Sequence, residues 1–421
     1  MTAIVGVSVF LILLLAGVPL FIVIGILSAV CLHLEGYPLM MVPQQMFSIT
    51  EKEVLLAIPF FVLASVVMTR GRSAEKIIKF LSSLVDWLPG GLAVAAIAGC
   101  IFFAAVSGLS PTAVIAMGGM MFPALVGARF TERFSTGLLT AAGSLGILVP
   151  PSIVVIIFGI VGEVNIQHLF VAGLAPILII ALLFGIYSVV ISHRAGVERS
   201  RFSFSRMWGS FFGGFWALLS SVFIAGIYTG WFSVTQASAL VAGYVLFVEI
   251  VIYRSIAVRQ LPEIFRRAAT VAGTILIIIA TAMSFNWFLT VEGVPMHITE
   301  FITAHFSSRI GFLIAVNVLL LFLGCIMDIM SAIFITVPLL LPAATALGID
   351  PIHFGIVFIV NFEIGYLTPP VGINLFAASA VFRKEMVEVA RAVLPFLVLL
   401  LIALILVTYF PDISLWMLRF F

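Results

Sequence analysis

The segment Gly146-Ile147-Leu148-Val149-Pro150-Pro151-Ser152 is answered 219 residues later by Gly365-Tyr366-Leu367-Thr368-Pro369-Pro370-Val371. Two adjacent prolines remove two backbone donors and push the residue before them out of the α region, so no helix passes through either place intact. Apolar sequence surrounds both, over 136–162 and 355–380, so each is a broken helix inside a hydrophobic crossing. Pro123 and Pro342, and Leu148 and Leu367, fall at the same offset, as duplicated units require.

The whole chain shares this apolar character. Of its 421 residues 63% are hydrophobic and 9% are charged, against about 25% charged in a soluble domain. That excludes a water-soluble protein. Apolar segments near 4–31, 54–69, 170–192, 207–230, 231–253, 268–290 and 391–410 approach or exceed what ~30 Å of hydrocarbon requires. The N-terminal run has no basic start and no early cleavage site, so it reads as a retained helix. Cys31, Cys100 and Cys325 are isolated thiols in apolar surroundings, without disulfide or metal spacing. No basic stripe suits nucleic acid.

Lys and Arg cluster in 70–79, 129–133, 194–206, 254–267 and 383–391, leaving only Lys52, Arg309 and Arg419 outside those groups. If the clusters are cytoplasmic, the count of crossings closes only when 92–126 and 311–347 are re-entrant hairpins and 136–162 and 355–380 each cross once. The N-terminus is then inside and the C-terminus outside. The expected fold is an all-α integral membrane protein with two re-entrant helical hairpins and two unwound crossings. Residues 1–206 form a first repeat with arm 70–86, hairpin 92–126 and broken helix 136–162. Residues 207–230 form a linking helix. Residues 231–421 form a second repeat of opposite topology, with arm 291–309, hairpin 311–347 and broken helix 355–380. Inverted repeats of this kind place substrate and ion sites between them at the midplane.

The first hairpin has about 15 residues on each side of Ser107-Gly108-Leu109-Ser110-Pro111, about 22 Å of helix, so its tip stops inside the membrane. A tip at that depth must sit in protein or line a watery cavity, where hydroxyls and freed carbonyls offer the oxygens that hard cations take. The second tip falls near Asp328-Ile329-Met330-Ser331. Asp328 at the membrane centre costs roughly 2.5–3.5 kcal/mol on insertion scales, so it faces a cavity, a cation or an arginine. At the double prolines, exposed carbonyls suit Na⁺, while the N–H groups that start the next half-helix, at Ser152 and near Gly372 to Asn374, suit an anion. Glu363 is either a second intramembrane acid or lies partway to an interface. Glu249 reads as interfacial. His33, His168, His193, His297, His305 and His353 read as loop residues near the ends of crossings. None of Lys52, Lys76, Lys79 and Lys384 is followed by Ser or Thr, so there is no Walker A site and no ATP use. Ser107 has no histidine base at its depth, which argues against a protease and an enzyme role.

Ser107-Gly108-Leu109-Ser110, Gly146 through Ser152, Met327-Asp328 to Pro342, and the run Leu347-Gly348-Ile349-Asp350-Pro351 through Asn361-Phe362-Glu363 to Pro369-Pro370-Val371-Gly372-Ile373-Asn374 together resemble the large membrane subunit, of dicarboxylate type, of tripartite ATP-independent periplasmic (TRAP) transporters. The resemblance covers essentially the whole chain. It implies an elevator-type importer in the bacterial inner membrane that couples Na⁺ to uptake of an organic acid. It also implies a separate small four-helix membrane subunit and a periplasmic substrate-binding protein as partners. One Na⁺ is then expected by Ser107, Ser110, Gly146, Val149 and Pro151, a second by Asp328, Gly365, Thr368 and Pro370, and substrate near Ser110, Ser152, Ser331 and Asn374.

Two other readings stay open on sequence alone. A self-sufficient Na⁺/dicarboxylate symporter would use the same hairpins without a binding protein. A membrane scaffold or assembly subunit would show no Na⁺ dependence, and the intramembrane acid and broken crossings argue against it.

Overall fold

The computed structural model describes residues 18–85, 87–107, 110–149, 152–197, 203–306 and 308–420, together with Leu13 and Ala16. Among them every regular element is helical. In chain order these are α1 (Leu20–Leu34), α2 (Met41–Phe47), α3 (Ala57–Arg70), α4 (Ser73–Val85), α5 (Gly91–Ser107), α6 (Ser110–Gly127), α7 (Glu132–Ala142), α8 (Ile153–Val161), α9 (Ile166–Ala195) and α10 (Phe204–Tyr228). There follow α11 (Val234–Phe247), α12 (Leu261–Val291), α13 (Val294–His305), α14 (Arg309–Gly324), α15 (Ile329–Ala346), α16 (Pro351–Gly365), α17 (Ile373–Phe382), α18 (Met386–Tyr409) and α19 (Asp412–Leu415). Most of the expected first crossing, 4–31, lies outside the described residues; its described helix starts at Leu20, after Pro19.

Local chemistry sets many of these boundaries. Thr131, Ser152, Asn165, Ser203, Ser308 and Asp350 each accept a bond from a first-turn N–H and so start α7, α8, α9, α10, α14 and α16. Ser233 and Gln236 form a reciprocal cap on α11. Gly196, with φ of 62°, ends α9 in the left-handed region that glycine enters without strain.

The helices pack in two groups. α1, α2, α3, α10, α11 and α12 pack among themselves, with α3 held between α11 and α12. The second group contains α5 to α9 and α14 to α19, and its halves interlock: α6 lies on α17, α7 on α18, and α8 on α15. Two short helices bridge the groups. α4 rests on α10 and on α5, while α13 rests on α15 and α12. On α4, Ile77 and Ile78 are buried while Glu75 and Lys79 pair in the open at 2.6 Å, a one-sided pattern suited to lying along a membrane surface. The neighbouring ammonium holds the Glu75 carboxyl below its usual range.

Among the described residues eight helices, or nine spans if α7 and α8 count as one bent pair, are long and apolar enough to cross a membrane. The chain is a multi-pass membrane protein. Two expectations need correcting. The hairpin arms are longer than 15 residues: α5 has 17, and α6 and α15 have 18 each. An 18-residue arm reaches about 27 Å, so length alone does not stop these arms at mid-membrane. Glu249 is not a free surface acid but is fully buried in protein, in the π-helical turn Val248–Ile252. It accepts the N–H groups of Arg72 at 3.0 Å and Ser73 at 2.7 Å and the hydroxyl of Ser255. An acid from α11's end thus satisfies the free donors at the start of α4. Gly71 lies so close that any Cβ would overlap this carboxylate.

Candidate functional site

Both crossings unwind where the sequence requires, but earlier than the prolines alone demand. α7 ends at Ala142 and is followed by a tight 3₁₀ turn, Leu145–Leu148, before α8 begins at Ile153. α16 ends at Gly365, four residues before Pro369, and α17 resumes at Ile373 after a left-handed Gly372. The Pro369–Pro370 peptide is cis. Pro369, Pro370 and Val371 are exposed, whereas Gly146 and Ser152 are buried.

Gly108 and Leu109 of the expected first tip lie outside the described residues, but the start of α6 beside them meets both breaks. Gly143, at the end of α7, lies against Val114, one turn past Ser110; a Cβ on Gly143 would sit 3.1 Å from the Val114 backbone nitrogen. Across the two halves, Asn374 Nδ2 donates to Ser110 Oγ at 2.6 Å, with both side chains buried. The other end of this amide, Oδ1, is buried with no partner among the described residues. A buried acceptor left unpaired costs roughly 1–3 kcal/mol, so its presence points to a ligand or water that it receives.

The second tip closes on the second break. Gly324 and Gly365 touch backbone to backbone, and a Cβ on Gly365 would lie 2.5 Å from Gly324 Cα. Val371 N–H donates to Cys325 O at 3.0 Å, and Ile329 N–H to the Tyr366 hydroxyl oxygen at 3.1 Å. Asp328 is half-buried and caps α15, accepting Ser331 N–H at 3.0 Å and the Ser331 hydroxyl. The bend therefore spans Cys325–Met327, slightly before the expected centre, and Ser331 already belongs to α15. Thr368 Oγ1 donates to Ile364 O at 2.8 Å. No group of three His, Cys, Asp or Glu side chains gathers among the described residues, so a cation here would be held mainly by carbonyls and hydroxyls.

The structure thus brings Ser110 to Asn374, and Asp328 and Ser331 to the turn carrying Gly365 and Thr368. Gly146, and Val149 just after it, lie in and beside the 3₁₀ turn that packs on α5. Ser152 is fully buried, and its hydroxyl accepts Val155 N–H at 3.3 Å. Pro151, and the side chain of Ser107, lie outside the described residues. Glu363, left open between two placements, is fully buried in α16, and neither carboxyl oxygen has a partner among the described residues.

Residues that sequence reasoning overlooked include Tyr366, whose hydroxyl ties the break to the tip, and Gly324, whose missing side chain admits Gly365. Both lie in or beside the quoted motifs, but only their neighbours show what they do. The six histidines expected in loops all lie in helices, close to their ends, and of them only His353 is buried. It sits buried in α16, with its ring nitrogens 3.4 Å from Ser414 Oγ and 3.3 Å from Thr408 O, and pins α16 to the C-terminal helices.

The comparisons with known proteins agree with this architecture. Residues 7–413 match the family model described as the tripartite ATP-independent periplasmic transporter, DctM component. The chain is 36% identical to a C4-dicarboxylate TRAP transporter large permease protein of Rhodobacter capsulatus, over 99% of this chain and 98% of that one. It is 40% identical to the protein of the same name from Pseudomonas aeruginosa, over 88% and 87% of the two chains. It is 34% identical to an isethionate TRAP transporter permease protein of Oleidesulfovibrio alaskensis, over 97% of this chain and 65% of that longer one. Among solved structures the YdaH transporter of Alcanivorax borkumensis superposes with a TM-score of 0.63 at 13% identity, covering 88% and 87% of the two chains, which shows a shared fold. With a match over nearly its whole length, the chain belongs to the DctM family, the large permease component of tripartite ATP-independent periplasmic transporters.

Proposed function

We propose that this protein carries an organic-acid anion across the bacterial inner membrane, driven by Na⁺. It acts as the large membrane subunit of a system with a small four-helix subunit and a periplasmic substrate-binding protein. The observation that carries the reading is the junction of Asn374 and Ser110, where opposite halves of the chain share one hydrogen bond and leave a buried amide oxygen unpaired. A carboxylate would accept the Ser110 hydroxyl proton there, a bridging water or Na⁺ would meet the unpaired Asn374 oxygen, and the first N–H groups of α8 and α17 favour negative charge. The relatives named for C4-dicarboxylates and isethionate support an anion as substrate.

Na⁺ would bind on either side of this junction. One ion would take Ser107, Ser110, Gly146, Val149 and Pro151; the other would take Asp328, Gly365, Thr368 and Pro370. The ions would fix the two hairpin tips against the breaks, so that the anion binds a site ordered by Na⁺ and coupling is the difference in Na⁺ affinity between ordered and open states. The tips would be re-entrant, the halves would be inverted repeats, and the group from α5 to α9 with α14 to α19 would move as one body against the rest. The basic clusters support a cytoplasmic N-terminus and a periplasmic C-terminus.

Proteoliposomes holding this chain and its small subunit test the reading. Uptake of radiolabelled succinate, and of other organic acids in turn, should need both an inward Na⁺ gradient and the cognate binding protein. Uptake without the binding protein would favour a self-sufficient symporter. Absence of Na⁺ dependence for every acid tried would sink the proposal.

A further inference from the structure

A cleft of about 210 Å³ opens between α3, α12 and the second arm of the first hairpin, with Ser65, Thr69 and Arg70 from α3, Thr112 from α6 and Arg267 from α12 in its walls. We infer that this cleft is a vestibule for small organic anions, a second station between the Ser110–Asn374 junction and the basic face of the protein. At about 30 Å³ per molecule it holds roughly seven waters, room for a small acid and little more.

Three observations converge. The lining contains two arginines and no acid; its other members are valines and three hydroxyl residues. Of the carboxylates nearby, Glu249 is taken by the N–H groups of Arg72 and Ser73 and the hydroxyl of Ser255, and Glu263 is shared: Arg266 takes one oxygen at 2.7 and 3.1 Å, and Arg70 reaches the other only at 3.7 Å. Arg267 makes no ion pair or hydrogen bond among the described residues. The second observation is place. Thr112 lies two residues past Ser110, about 3 Å along the same helix and on its opposite face, so the vestibule lies across α6 from the proposed substrate position. The third is setting. The cleft separates the two helix groups, and apolar walls of low dielectric focus the field of two positive charges far more than open water would. Arginine suits a carboxylate because its planar donors meet both oxygens.

Anionic lipid headgroups carry the same chemistry, so the test must separate the two sources. The inference rests on the proposed substrate position, and a reaction that needs no transport keeps its failure distinct from failure of that proposal. Cys31, Cys100 and Cys325 are replaced, and Thr112→Cys, or Thr69→Cys should the first not assemble, is made in the complex with its small subunit. The complex is placed in phosphatidylcholine nanodiscs, where both faces are reachable. Rates of modification are measured with anionic sulfonatoethyl and cationic trimethylammonioethyl methanethiosulfonates, each divided by its rate with free mercaptoethanol. The anionic reagent is expected to be favoured by about tenfold. Arg70→Gln with Arg267→Gln should abolish that preference, and millimolar succinate should slow modification only while the arginines are present. A normalised ratio of one or less, or a ratio unmoved by the double substitution, overturns the vestibule. A preference that vanishes as phosphatidylglycerol replaces phosphatidylcholine assigns the arginines to lipid and overturns it as well.

Discussion

Asp328 and Glu363 are the two acids of the broken second half, and their surroundings could hardly differ more. Asp328 stands at a helix start, half-buried, with the Ser331 N–H and hydroxyl donating to it and the Tyr366 hydroxyl oxygen one residue away at Ile329 N. Glu363 lies two residues before the break, fully buried, with neither oxygen paired among the described residues. A carboxylate with donors and an open side is placed to hold a cation. One without either has no group in reach to pair with it. Sequence position leaves the depth of Glu363 open; the neighbours give the two acids different chemistry.

Substitution separates the two most sharply. Asp328→Asn keeps the helix cap but removes the charge; Na⁺-driven uptake in proteoliposomes should fall at least about 100-fold while the complex still assembles. Uptake near the native rate would remove Asp328 from ion binding. Asn374→Ala frees Ser110 and deletes the unpaired amide oxygen. The KM for substrate should rise about tenfold, or roughly 1.4 kcal/mol, with less change in the maximal rate. Equal loss in both would place Asn374 in the moving step rather than in binding.

Gly365→Ala presses a methyl group onto the Gly324 backbone, which has no flexible end to yield. Thermal unfolding of the purified complex should show a loss of about 1–3 kcal/mol, and an unchanged midpoint would mean that the tip and break separate freely. The smallest effect is expected from Glu363→Gln, a neutral amide of the same shape. Stability should change by no more than about 1–2 kcal/mol, and Na⁺ dependence of uptake should be retained. Loss of uptake with normal assembly would show that Glu363 ionises during the cycle, and the contrast between the two acids would collapse.

The breaks were legible in the sequence because proline and glycine act on their own backbone. Pro150-Pro151 and Pro369-Pro370 forbid a continuous helix whatever surrounds them, and α7, α8, α16 and α17 stop and start around them. The second hairpin bend, at Cys325–Met327, falls close to where correspondence between the halves puts it. The packing of the hairpins was not legible. α5 and α6 lie against each other, whereas α14 and α15 barely touch and lean instead on α16 and α13. The burial of Glu249 was not legible because its partners, Arg72 and Ser73, stand 177 and 176 residues away. That of His353 was not legible because Ser414 and Thr408 are as remote from any local signal.

By itself the sequence determined the solvent, the number and kind of hydrophobic segments, and the points at which they must unwind, since transfer free energy and backbone sterics are properties of single residues and short runs. Only the tertiary structure decided which unwound points meet. Asn374 reaches Ser110 across 264 residues, and Gly324 admits Gly365 because no side chain stands between them. Such contacts depend on how whole helices pack, and packing energy belongs to pairs of surfaces rather than to any one stretch of chain.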